Sequence, residues 1–209
     1  MKKTLFAIVL IIASITAFAQ TPLNNSQSQE VMELLTETAS SMQTMQCRFV
    51  QEKTMAMLAE PSVSEGLMYY SAPNQLRWEY TIPYAFALVV DGERIVKVTD
   101  GKAEVLDGKS NRMYQGMMGL IMGSASGKSL FDTSTFDITL YDDNTFWKAE
   151  MTPKRRDLKR MFNQLVFHFN KQTNGISHVE FIEPGGDIIS IRFEGIQLNE
   201  TLDPSVFAE

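Results

Sequence analysis

The sequence predicts an α+β architecture: one N-terminal helix, then about ten or eleven strands in a single, strongly curved antiparallel sheet that curls into a barrel. Three observations predict it. Between Gly66 and Gly92 three β-type runs follow one another, Leu67–Tyr70, Gln75–Tyr80 and Tyr84–Val90. They are closed by turn residues at Ala72-Pro73-Asn74, Ile82-Pro83 and Asp91-Gly92. Asp-Gly recurs at Asp91, Asp100 and Asp107, the spacing of meander turns. The chain of 209 residues shows no internal repeat and no linker, as one barrel-type domain requires.

The chain opens on Met1-Lys2-Lys3, an apolar run over Leu5–Ile15 and an Ala17-Phe18-Ala19 motif. That order predicts a secretory signal peptide over residues 1–19, cleaved after Ala19, ahead of one domain over 20–209. The apolar run is too short to span a bilayer, and no later segment is long and apolar enough. Gln20, not Cys, stands directly after the cleavage point, so no lipid anchor is expected. Losing Lys2 and Lys3 leaves 17 of the 19 basic residues against 25 acidic ones, a net charge of −8. Such a balance argues against nucleic acid as a partner, since phosphate binding draws on cationic contacts. A lone Cys47 allows no internal disulfide; it is either a small buried hydrophobe or a reactive thiol.

Each element has its own pattern. After a polar leader, Glu30–Met45 repeats apolar residues at helical spacing through Val31, Leu34, Leu35, Thr38, Met42 and Met45. Strands are then expected over Cys47–Thr54 and in the three runs above. In the middle run Leu76, Trp78 and Tyr80 share one face, while Gln75, Arg77 and Glu79 share the other. Arg94–Thr99 and Ala103–Leu106 follow, joined at Asp100-Gly101. Further strands are expected over Thr135–Tyr141, Thr145–Met151, Phe162–Asn170, Ser177–Glu183 and Asp187–Gly195.

Between Met113 and Lys128 the alternation stops, and four Met, an Ile and a Leu are interleaved with Gly. This predicts a loose helix: a piece of plain core, or a movable cover over an apolar cavity, since unbranched thioethers refit to irregular surfaces. Gly123–Ser129 falls one residue short of a phosphate loop and has no strand leading into it. His168 and His178 belong to no ligand-spacing motif, so neither a metal site nor a cofactor is expected. No nucleophile elbow occurs, and no enzyme is predicted. Lys154-Arg155-Arg156-Asp157-Leu158-Lys159-Arg160 is the one basic cluster, either a solvated hairpin flank or a docking patch for an acidic partner or lipid phosphates.

Taken in order, Phe49-Val50-Gln51-Glu52-Lys53, Gly66-Leu67-Met68-Tyr69-Tyr70, Pro73, Leu76-Arg77-Trp78-Glu79-Tyr80, Pro83 and Val89-Val90-Asp91-Gly92 resemble the LolA family of periplasmic outer-membrane lipoprotein carriers. Thr152-Pro153-Lys154 and the tail residues Asn199, Leu202, Asp203 and Phe207 extend the resemblance over nearly the whole chain. It implies an unclosed barrel of about eleven strands with a helical lid over an apolar cavity. The protein would be a monomeric, non-catalytic periplasmic carrier of acylated lipoproteins. An inner-membrane ABC lipoprotein-releasing complex would be the donor and an outer-membrane protein the acceptor. Another lipid or polyene cargo, or a lipid-binding sensor of the same fold, are the alternatives.

The residues expected against acyl chains are Phe49, Leu76, Trp78, Tyr80, Leu88 and Val90. The lid is expected at Met117, Met118, Leu120, Ile121 and Met122. The resemblance also implies an Arg before the proline at position 73 that latches the lid. Ala72 stands there, leaving Arg77 as a candidate latch and Lys154, Arg155 and Arg156 as candidates for docking.

Overall fold

Two antiparallel meanders make the fold. The computed structural model describes residues 21–58, 60–92, 94–106 and 131–208. The first meander is β1 (Thr44–Thr54), β2 (Ser62–Ser71), β3 (Gln75–Ile82), β4 (Phe86–Asp91), β5 (Arg94–Thr99) and β6 (Lys102–Val105). The second is β7 (Phe136–Asp143), β8 (Phe146–Pro153), β9 (Gln164–Asn170), β10 (Ile176–Ile182) and β11 (Ile188–Leu198). They join where β1 lies antiparallel to β11, from Met45 opposite Leu198 to Thr54 opposite Ile188. One eleven-stranded sheet results, in the order β6-β5-β4-β3-β2-β1-β11-β10-β9-β8-β7. It is open: β6 and β7 are its two edges, as the unclosed form of the expectation requires. Short β6 carries Lys102 and Glu104, charges that discourage edge-to-edge pairing. At the other edge Pro22 bridges to Tyr141, and Leu23 N–H donates to the Leu140 carbonyl at 2.8 Å.

The sheet curls because its alternation is consistent from strand to strand. Phe49, Met68, Trp78, Leu88, Met151, Leu165, Phe181 and Ile191 all belong to a single buried cluster. A sheet whose inner faces share one core must wrap around it. Ala87, Val89 and Val96 are buried as well but lie outside that cluster, on the opposite face. Over β3 and β4 packs a one-turn 3-10 helix, Pro204–Phe207, started by Asp203, whose side chain accepts from Ser205 N–H at 2.9 Å. Asn199 anchors the same tail: its side chain accepts from Gln43 N–H at 2.7 Å.

Helix α1 runs over Asn25–Ser40, five residues earlier at each end than the apolar spacing suggests. A capping box decides its start: Asn24 Oδ1 accepts from Gln27 N–H at 3.0 Å, and Gln27 Oε1 accepts from Asn24 N–H at 3.2 Å. The polar leader is therefore the first turn of the helix. Met45, expected on the helical stripe, is the first inward residue of β1, and Leu34 is 40% exposed. Within the helix only Val31 and Leu35 are buried. Two further boundaries move. Tyr84 is 80% exposed ahead of β4, and the basic cluster forms a one-turn helix α2, Arg156–Lys159, that delivers buried Phe162 before β9 begins.

Candidate functional site

The six residues expected to hold acyl chains do face inward, yet they are packed against one another. Phe49, Leu76, Trp78, Leu88 and Val90 are each less than 5% exposed, and Tyr80 is half-buried. Phe49 stacks on Trp78 with ring centroids 4.2 Å apart and meets Tyr80 edge-on at 5.3 Å. Tyr80 in turn stacks on Phe86 at 4.7 Å and donates its hydroxyl to Gln51 Oε1 at 2.9 Å. This arrangement exists because Gly66, opposite Phe49 on the neighbouring strand, leaves room for the ring. The aromatic strand is a wall whose near side is filled.

A cavity of about 310 Å³ lies elsewhere, between α1 and the strands around the β1–β11 junction. Leu35, Thr38 and Ala39 of α1, with Met42 just beyond its end, form one side. Met45, Met68, Phe167, Phe169, Val179, Phe181, Phe193 and Ile196 form its sheet side, with Asn170 and Asn174 among its polar residues. None of Phe49, Leu76, Trp78, Tyr80, Leu88 or Val90 lines it. Trp78 packs among Phe49, Tyr80 and Phe193, whereas the cavity is lined by α1 and by residues of β1, β2, β9, β10 and β11. Its volume is at the lower end of the roughly 300–1,000 Å³ typical of ligand pockets. Phe167 and Phe169 carried a usable sequence signal, an inward aromatic pair at period two. Ile196 carried none: it follows Gly195, at φ +61°, in a bulge where the β1–β11 register shifts between Gln46 and Arg48.

Within this interior Trp78 Nε1 and the Tyr70 hydroxyl are buried without a hydrogen-bond partner among the described residues. Cys47 is buried too, and burial alone pushes its thiol up to about 12. The thiol is thus protonated and shielded, which favours the small-hydrophobe reading. A disulfide-exchange dye at pH 8 is expected to leave Cys47 unlabelled in the folded chain and to label it within minutes once the chain is unfolded. Rapid labelling of folded protein would contradict the burial. The unfolded thiol ionises near pH 8.5 and the folded one near 12, so its contribution to stability is complete below that range and is lost as pH climbs through it.

Arg77 points away from the cavity. Its guanidinium bonds Glu79 at 2.8 Å and donates to the carbonyls of Val206 and Ala208 at 3.3 and 3.4 Å, so it ties down the tail. The reason is strand alternation, which sends Arg77 to the face opposite Trp78. Ala72 N–H donates to the Gln43 carbonyl at 2.7 Å and so pins the β2–β3 turn to the connection below α1. The expected lid residues Met117, Met118, Leu120, Ile121 and Met122 lie outside the described residues, as does the signal peptide. In the basic cluster Lys154 binds Asp137 at 3.0 Å and the Thr133 carbonyl at 2.8 Å, and Arg155 pairs with Asp157 at 2.6 Å. Arg156 is exposed beside them.

The two histidines, assigned no ligand set from their spacing, are brought together by the fold. His168 of β9 and His178 of β10 are cross-strand partners, with ring centroids 4.9 Å apart, on the outer face of the sheet.

The fold is an open, curled antiparallel sheet of eleven strands with one long helix packed against it. The sequence profile of the outer-membrane lipoprotein carrier protein LolA matches residues 40–209. The chain belongs to that family. It is 23% identical over 205 residues to the outer-membrane lipoprotein carrier protein of Cupriavidus taiwanensis, covering 93% of this chain and 89% of that one. It is 28% identical over 152 residues to the carrier of Nitrosospira multiformis, covering 69% and 67% of the two chains. Among solved structures, an uncharacterized conserved protein from Thermus thermophilus superimposes with a TM-score of 0.55 at 10% identity, over 88% of this chain and 93% of that one. That likeness speaks to the fold alone.

Proposed function

We propose that the chain, as a single domain over residues 20–209, is a non-catalytic periplasmic carrier. It holds acyl chains of lipoproteins and passes them from an inner-membrane ABC complex toward an outer-membrane acceptor. The observation that carries this reading is the cavity under α1, together with membership of the carrier family. Acyl chains enter between α1 and Ile196 and lie against Met45, Met68, Phe167, Phe169 and Phe193, while Phe49, Leu76, Trp78, Tyr80, Leu88 and Val90 form the packed core outside that lining.

The energetics fit a carrier. Each buried CH₂ is worth about 0.8 kcal/mol, so one long acyl chain contributes on the order of 10 kcal/mol. Free lipoprotein does not cross water against that term, and a cavity lined by Met42, Met45 and Met68 adapts to its guest without gripping it.

Native mass spectrometry of the chain mixed with a triacylated lipopeptide tests the reading. A one-to-one complex is expected, and Ile196→Glu should weaken it at least tenfold by placing a charge in the cavity wall. Val63→Glu, at an exposed position outside the cavity, should leave it unchanged. Equal binding by Ile196→Glu would move the site away from the cavity. Co-purification of a non-protein lipid in place of lipoprotein would change the cargo, and a stoichiometric protein partner on an empty cavity would favour a sensor.

A further inference from the structure

On the outer face of the second meander, remote from the cavity, three ligating atoms converge. His168 Nε2 and His178 Nε2 each lie 3.7 Å from Glu180 Oε1, and all three atoms fall within 4.8 Å of one another. The topology explains the convergence. His168 and His178 are directly opposite across β9 and β10, and Glu180 is two residues along β10 from His178, hence on the same face.

The cluster is sheltered, with side-chain exposures of 18%, 23% and 30% for His168, His178 and Glu180. His168 Nε2 is buried and has no hydrogen-bond partner among the described residues. At 3.7 Å the carboxylate is beyond hydrogen-bond distance, so a buried ring nitrogen is left aimed at an oxygen that does not satisfy it. The surrounding charges are committed to other partners: Lys148 to Glu150 at 3.0 Å, and Arg192 to Glu52 at 2.7 Å. His178 Nε2 is hydrogen-bonded to Ser190 Oγ at 2.8 Å, a contact that a bound ion would replace.

We propose that His168, His178 and Glu180 form a binding site for one divalent transition-metal ion of the imidazole-preferring class, with Zn²⁺ as the fitting member. Two imidazoles and one carboxylate are a complete protein ligand set for an open tetrahedral zinc site. Tetrahedral zinc bonds place ligand atoms about 3.3 Å apart, so each histidine nitrogen closes on Glu180 Oε1 from 3.7 Å, and the two nitrogens close on each other from within 4.8 Å. A bound ion would satisfy His168 Nε2 and clamp β9 to β10.

Isothermal titration of the tag-free full chain with Zn²⁺ at pH 7.5 tests this. One site per chain is expected, at least tenfold weaker in His168→Gln and in His178→Gln, and weaker in Glu180→Gln. Absence of a saturable site, or a site that survives both histidine substitutions, overturns the proposal. Should a variant lose its folded circular dichroism spectrum, the native chain still decides. Zn²⁺ should protect both histidines from diethyl pyrocarbonate, and equal modification with and without Zn²⁺ would count against the site.

Discussion

Gly66→Ala is expected to leave the chain with no cooperative unfolding transition. A Cβ at this position would lie 1.9 Å from the Glu79 carbonyl oxygen and 2.6 and 2.8 Å from the ring of Phe49. Neither neighbour can yield. Glu79 is fixed in the β3 ladder opposite Leu67, next to a register shift between Glu65 and Gly66, and Phe49 is held between Trp78 and Tyr80. Losses above 4–5 kcal/mol are exceptional for one substitution and come from such clashes, against a total stability of roughly 5–15 kcal/mol. Urea denaturation followed by circular dichroism measures it. A variant within about 1 kcal/mol of the parent would mean that the β2–β3 pairing is not as described.

The second large effect is expected at Trp78. Trp78→Ala removes a fully buried indole that stacks on Phe49 and meets Phe193 edge-on at 6.2 Å. Aromatic-to-alanine changes in cores cost about 3–5 kcal/mol, because the lost contacts are joined by a cavity that the sheet cannot collapse to fill. For a chain of this size that is a fall in Tm of roughly 6–20 °C. Differential scanning calorimetry distinguishes two roles. A large fall in Tm without cargo identifies Trp78 as a structural wall, whereas an unchanged Tm with lost acyl binding would make it the lipid-contacting surface.

The contrast between these residues shows what was legible in the sequence. Period-two alternation at Leu76, Trp78 and Tyr80, with turn residues at Asp91-Gly92 and Asp100-Gly101, sufficed for strands, faces and topology, because these are local properties of the chain. It did not separate an inward residue that meets a neighbour from one that meets a void. That distinction depends on local packing, on a glycine against Phe49 and a bulge at Gly195. The helix boundary was hidden for another reason. Asn24 and Gln27 cap each other, and hydrophobic spacing does not register a polar first turn. His168 and His178 stand ten positions apart and become neighbours only through the β9–β10 register.

The junction of β1 with β11 also governs the order in which the fold assembles. Every other strand pair in the sheet joins consecutive strands, and such hairpins form from local contacts. Arg48 and Glu194 across the junction are 146 positions apart. By chain statistics, closing a loop of that length adds roughly 4–5 kcal/mol of entropy cost before any junction hydrogen bond forms. Contacts of this range slow folding and leave strand edges open meanwhile. The meanders can thus order separately, but the container and its cavity come into being only when the last strand has been made and has found the first.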